Sequence, residues 1–139
     1  MRVYEVMTED PITIDINYSI LDAAKKMRDE NCGVLPIMDG DEIVGVVTDR
    51  DVTVYAVAEE KGLVDTNITE IMSEKVITCG HEELLEDIAD RMSINDVRRL
   101  VVLGDDEKIK GIISIQDLMV NIGDEKMTDE VIHHVLKYA

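Results

Sequence analysis

The chain repeats itself. Met7-Thr8-Glu9 recurs as Met72-Ser73-Glu74, Thr13 as Thr78, Asp22, Ala24 and Met27 as Asp87, Ala89 and Met92, and Leu35 as Leu100, all at an offset of 65. After one extra loop residue the offset becomes 66, and Gly45, Thr48 and Asp51 match Gly111, Ser114 and Asp117. A period that covers nearly the whole chain means two copies of one supersecondary unit. Each copy is about seventy residues long, a length that buries too little surface for comfortable stability alone, so the copies are expected to pack on each other. Two similar units meeting through similar faces give a pseudo-two-fold axis, with clefts where strand ends approach.

Each copy reads as strand, helix, strand, strand, helix. Short β-branched runs, Ile12-Thr13-Ile14 and Val76-Ile77-Thr78, are each followed by a polar turn and an amphipathic helix. Ile20, Ala24 and Met27 form the predicted buried face of the first helix, and Leu85, Ala89 and Met92 that of its counterpart. Ser19 with Asp22 suits a helix N-terminus, and His81 ahead of Glu82 and Glu83 is read as the start of the second. Two hairpins follow, Val34 to Met38 with Ile43 to Val47, and Leu100 to Leu103 with Ile109 to Ile113, around acidic, glycine-containing turns. The expected fold class is α+β: two pseudo-two-fold-related β-α-β-β-α repeats, each a small mixed sheet packed against two helices. The repeats are placed at residues 1–62 and 63–123, with a C-terminal helix in 124–139 that runs from Thr128 to Tyr138. Met119 and Met127 with Val131, Ile132 and Val135 would give that region an apolar stripe, for a second subunit or for its own chain.

Composition narrows the function. With 45% hydrophobic residues a core is affordable within 139 residues, and with 3% aromatics, all Tyr, that core is aliphatic. Lys and Arg number 14 against 31 Asp and Glu, a net charge of −17. Such a surface repels polyanions, so neither nucleic acid nor an anionic membrane is an expected partner. No stretch approaches the roughly eighteen apolar residues of a membrane span, and the charged N-terminus has no apolar leader, so a cytoplasmic location is expected. Cys32 and Cys79 are far apart and read as reduced, small hydrophobes.

The recurring polar signature is Gly45-Val46-Val47-Thr48-Asp49-Arg50-Asp51, mirrored by Gly111-Ile112-Ile113-Ser114-Ile115-Gln116-Asp117. One reading is structural: a hydroxyl followed three residues later by a carboxylate caps a helix. The other is a binding site, in which the hydroxyl and backbone N–H groups meet a phosphate and the carboxylate accepts from a diol. Arg98 and Arg99 alternate across a strand, so one is expected at the site and the other in solvent.

The Met-Thr/Ser opening, the Ala-x-x-Met helix, the Leu35-Pro36-Ile37 strand and the two Gly-to-Asp motifs make the repeat resemble a cystathionine β-synthase (CBS) domain, and the chain a stand-alone tandem pair, or Bateman module. The resemblance covers residues 1 to about 122. It implies a regulatory sensor of adenosyl effectors such as AMP, ADP, ATP or S-adenosylmethionine, bound in clefts between the repeats, with no resident cofactor and no catalysis. It further implies a homodimer that signals through altered subunit packing or through an unidentified effector protein. Carried over, Thr48 and Ser114 would contact phosphate, Asp51 and Asp117 the ribose hydroxyls, and Val46 and Ile112 the adenine. Thr13, Ile14, Thr78 and Cys79 would line the base pocket, with Val34 to Pro36 and, in the second copy, Arg99, Leu100 and Val101 opposite. A basic residue that reaches the phosphates in relatives falls on Arg98 in copy two but on Gly33 in copy one, with Arg50 as a second charge. Val101 stands where the first copy has Pro36.

No nucleophile with a base, metal cluster or phosphate-binding loop is visible. His133 and His134 are adjacent and diverge on a helix, so they do not form a metal pair. The acidic hairpin tips are too short for a calcium loop. The alternative to a sensor is a constitutive scaffold with empty clefts.

Overall fold

The structure, a computed structural model, describes residues 1–121 and, beyond them, Asp129, Ile132 and His133. In chain order the elements are β1 (Thr8–Glu9), β2 (Ile14–Asp15), α1 (Ile20–Glu30), β3 (Val34–Asp39), β4 (Glu42–Thr48) and α2 (Asp49–Asp51), which runs on as a π-helical segment, Val52–Val57. Then come β5 (Thr78–Gly80), α3 (Leu85–Asn95), β6 (Arg99–Leu103), β7 (Ile109–Ser114) and α4 (Ile115–Asn121). The molecule is mixed α+β, with two small mixed sheets and four α-helices among the described residues.

The chain divides into two compact units, a continuous one, Ile12–Val76, and a split one that joins Met1–Pro11 to Ile77 onward. In the continuous unit the sheet order is β2-β3-β4, the first pair parallel and the second antiparallel. Ile14, Leu35, Ile37 and Val47 pack from one sheet face against Ile20, Ala23, Met27 and Ala56. The split unit has the order β1-β7-β6-β5, and Cys79, Leu100, Val102 and Ile113 pack against Leu85, Ile88, Met92 and Leu118. Strand alternation sends every second residue into these cores, which is why only one face of each sheet joins them.

The opening of each repeat docks on the other copy's elements. Val3 begins a short 3-10 turn, is fully buried in the split unit, and donates its N–H to Glu83 O at 2.9 Å. Thr8 and Glu9 then pair with Ile112 and Gly111. Its counterpart Ile68, also fully buried, donates to Tyr18 O at 2.9 Å in the continuous unit, and Ser73 bridges Val46. The repeat boundary drawn at residues 62 and 63 follows the sequence period, whereas the units in space part after Pro11 and after Val76.

Three local expectations are corrected. The first strands lie later than the β-branched runs, at Ile14–Asp15 and Thr78–Gly80, because the residues that reach the core are Ile14 and Cys79. On the helices Ala23 and Ile88 are fully buried while Ala24 and Ala89 are half-buried, so the core stripe runs i, i+3, i+7. Ser19 does cap α1, accepting from Asp22 N–H at 3.0 Å, but His81 does not open α3. The helix starts at Leu85, after an extended Leu84 that bridges Arg2. Glu83 is drawn away, taking the Gly80 N–H at 2.5 Å and both terminal nitrogens of Arg91 at 3.0 and 2.6 Å. The terminal helix, with Met127, Val131, Val135 and His134, lies outside the described residues apart from Asp129, Ile132 and His133.

Candidate functional site

The glycine that opens each Gly-to-Asp motif is set by packing. A Cβ on Gly45 would stand 2.6 Å from Met72 Sδ and 2.9 Å from Ser73 O, and one on Gly111 would stand 2.6 Å from Thr8 O and 2.7 Å from Met7 Sδ. The motif and the Met-Thr/Ser opening are therefore two halves of one contact, made once in each unit.

Three residues on, both hydroxyl residues cap a helix. Asp51 N–H donates to Thr48 Oγ1 at 3.2 Å while Thr48 N–H donates to Asp51 Oδ2 at 2.9 Å. In the second motif Asp117 N–H donates to Ser114 Oγ at 3.2 Å, and Asp117 Oδ2 accepts from Ser114 N–H at 2.8 Å and from Ser114 Oγ at 3.0 Å. The structural reading of the motif thus holds in both copies. The cap uses Oδ2 in each case, and Oδ1 of Asp51 and of Asp117 has no hydrogen bond among the described residues. All four residues are half-buried. A carboxylate pinned through one oxygen, with the other unbonded, is an oriented acceptor.

Register shows which predicted residues share a face with these caps. Cross-strand partners point the same way. In the continuous unit Val34 is opposite Thr48 and Pro36 opposite Val46. In the split unit Arg99 is opposite Ser114, and Thr78, Val101 and Ile112 form one row across three strands. These are the faces turned away from each unit's own helices. Thr13, just ahead of β2, is exposed. Ile14, Cys79 and Leu100, at 2%, 4% and 1% exposure, point their side chains into the cores, and on the opposite sheet faces Pro36, Val101 and Ile112 are buried as well. Burial pushes the Cys79 thiol up to about 12, and desolvation also raises Cys32, so both are neutral thiols at physiological pH.

Arg98 precedes β6, is half-buried, and its carbonyl accepts from Ile115 N–H at 2.8 Å. Arg99 is the residue in register with Ser114, in the slot that Val34 takes opposite Thr48. The 65-residue offset pairs it with Val34, and both were among the strand residues expected opposite the base pocket. Arg50 is exposed on the first turn of α2. Asp49, not singled out by the sequence, folds back over Gly33, where its Oδ2 would stand 2.9 Å from an added Cβ.

Two open cavities of about 670 and 510 Å³ lie in the split unit, and both include His81, Gly104 and Asp105. They sit at the Leu103 end of β6, away from Ser114, which pairs with the Arg99 end. Neither is lined by Ser114 or Asp117, though the larger is lined by Thr78 and Cys79. Among the described residues no three His, Cys, Asp or Glu side chains gather as a metal site, and no helix is long and apolar enough to cross a membrane.

Comparison with known proteins places this geometry. A family profile described as the CBS domain matches residues 3–58 and 68–124. The chain is 30% identical over 119 residues to the CBS domain-containing protein YhcV of Bacillus subtilis, a match spanning 86% of this chain and 84% of that protein. It resembles the CBS domain pair of protein MJ0100, solved in complex with 5′-methylthioadenosine and S-adenosyl-L-methionine, with a TM-score of 0.78 and 31% identity over 86% of this chain and 94% of that one. A CBS-domain protein from Burkholderia ambifaria MC40-6 gives a TM-score of 0.78 at 32% identity, over 90% and 96% of the two chains. The match to L-aspartate semialdehyde sulfurtransferase of Methanocaldococcus jannaschii, 32% identical over 125 residues, takes in 89% of this chain but 24% of that enzyme.

Proposed function

Since this chain belongs to the CBS-domain family and carries two such domains in tandem, we propose that it is a non-catalytic sensor that binds adenosine-containing effectors. One observation carries the proposal: in both copies a half-buried carboxylate is fixed through Oδ2 and keeps Oδ1 unbonded, beside an apolar pair, Pro36 with Val46 or Val101 with Ile112. A vicinal diol supplies two donors to such an oxygen, and in the first copy the partly exposed Val46 offers an apolar contact for a flat base. The MJ0100 pair, 31% identical, holds 5′-methylthioadenosine and S-adenosyl-L-methionine, which supports the same ligand class here. Signalling proceeds through subunit packing or through affinity for a partner protein.

Calorimetry with Asp51→Asn and Asp117→Asn tests the reading. Each variant keeps an oxygen for the cap but presents an amide to the diol. Loss of a charged hydrogen bond costs roughly 1.5–3 kcal/mol, so affinity at the altered site should fall by about tenfold or more. Unchanged affinity for 5′-methylthioadenosine and AMP in both variants refutes the assignment.

A second reading rests on the Ser114 hydroxyl, which already donates to Asp117 Oδ2: a cap closed on itself serves a constitutive scaffold equally well. A thermal-shift panel of adenine nucleotides, S-adenosylmethionine and 5′-methylthioadenosine separates the two. A ligand at 100 times its Kd adds about 2.7 kcal/mol of stability, whereas a scaffold shows no shift with any of them.

A further inference from the structure

The outer edge of β5 is closed by side chains rather than by a strand. β5 ends its sheet, and its flanking residues bond inward to β6: Ile77 O accepts from Val101 N–H at 3.1 Å, and His81 N–H donates to Leu103 O at 3.0 Å. Alternation along the strand turns the Thr78 carbonyl and the Gly80 N–H outward, where an edge strand leaves such groups unpaired. Here Arg91 donates to Thr78 O at 3.0 Å, Glu83 accepts from Gly80 N–H at 2.5 Å, and the two side chains join each other at 3.0 and 2.6 Å. The ion pair thus presents a donor and an acceptor to the edge, as a neighbouring strand would. The first copy lacks it. The repeat places Tyr18 at the position of Glu83 and Lys26 at that of Arg91, and Lys26 pairs instead with Glu30 at 3.7 Å. The matched threonines differ accordingly: Thr78 is half-buried within β5, in one row with Val101 and Ile112, whereas Thr13 is exposed and lies ahead of β2.

We propose that Arg91 and Glu83 are positioning residues for the adenosine site of the split unit: by holding the edge of β5 they keep Thr78 and its main chain in the row with Val101 and Ile112. This rests on the sensor reading above. A wall set before binding loses no affinity to its own ordering. Because the pair acts on the strand and not on the 5′ group, its removal weakens every adenosine compound alike at that site.

Calorimetry on the full chain with AMP and 5′-methylthioadenosine tests this, in the Asp51→Asn background, where only the split unit keeps its carboxylate. Arg91→Met should weaken both compounds by the same factor, about fivefold or more. Glu83→Gln, which keeps an acceptor for the Gly80 N–H but loses the charge, should weaken both by less. In the Asp117→Asn background neither substitution should move either affinity by more than about twofold, a selectivity that a general loss of stability would not give. Thermal melts establish that each variant is folded at the titration temperature. Affinities indifferent to Arg91→Met and Glu83→Gln in the first background, equal losses in both backgrounds, or a loss confined to AMP overturn the positioning role and leave the sensor reading standing. Binding of neither compound by the wild type overturns both.

Discussion

Gly45 and Gly111 have negative φ and are not needed for a turn; what they provide is the absence of a side chain under the exchanged opening of the repeat. For Gly111→Ala, the new Cβ meets a backbone oxygen at 2.6 Å, which cannot move without displacing β1 from β7, so a loss of about 1–3 kcal/mol is expected from overpacking. At Gly33 the obstruction is the mobile end of the Asp49 side chain, and Gly33→Ala should cost less than Gly111→Ala in the same urea titration. An equal cost would show that the backbone contact is not what fixes the motif. At this scale the sequence was informative about residue type and weak about direction. The Thr48 and Ser114 caps could be read from spacing, since hydroxyl and carboxylate three apart have few other uses. That Ile14, Cys79 and Leu100 turn inward could not, because a one-residue shift of a short strand reverses every side chain and the β-branched run gives no phase.

Among the elements, the hairpins were legible because their turns carry acidic residues and glycine between apolar runs, and β3 to β4 and β6 to β7 follow those limits closely. The start of α3 was not. His81, Glu82 and Glu83 look like an acidic first turn, but the N-terminal segment pairs with this stretch and Glu83 is claimed by Arg91. Both side chains are one-third exposed, which limits the pair to about 1 kcal/mol after screening. The hydrogen bond from Arg91 holds the Glu83 carboxyl below its ordinary value of 4.5, partly opposed by desolvation. A depressed folded-state pKa gives stability that is complete above the unfolded value and is lost as pH falls through the folded one. Glu83→Gln should therefore be less stable than wild type at pH 7, and the difference should vanish in strong acid; a gap that persists at low pH would assign the effect to packing. At α1 the corresponding support is Ser19, and Ser19→Ala should cost about 1 kcal/mol by thermal melt.

For the whole molecule, the repeat period revealed two equivalent copies but could not say where each opening docks, since Val3 and Ile68 fit either copy's socket equally well by sequence. The structure assigns Val3 to the split unit and Ile68 to the continuous one. Two fragments distinguish the sequence division from the spatial one. Residues 12–76 keep Ile68 and Ser73 on their own sheet and should give a cooperative thermal transition, whereas residues 1–62 lack both and should not. A fragment 1–62 that melts as sharply as 12–76 would mean that the exchange contributes little. Because the fragments are near the lower limit of independent stability, low temperature or stabilising salt favours the comparison.

The exchange also sets an order of events at the ribosome. The first eleven residues emerge without the strand they will join, because β7 is translated only after the entire continuous unit and most of the second copy. Synthesis from the N-terminus lets the middle of the polypeptide fold first, while its leading segment waits, tethered and unpaired, for a partner made about a hundred residues later.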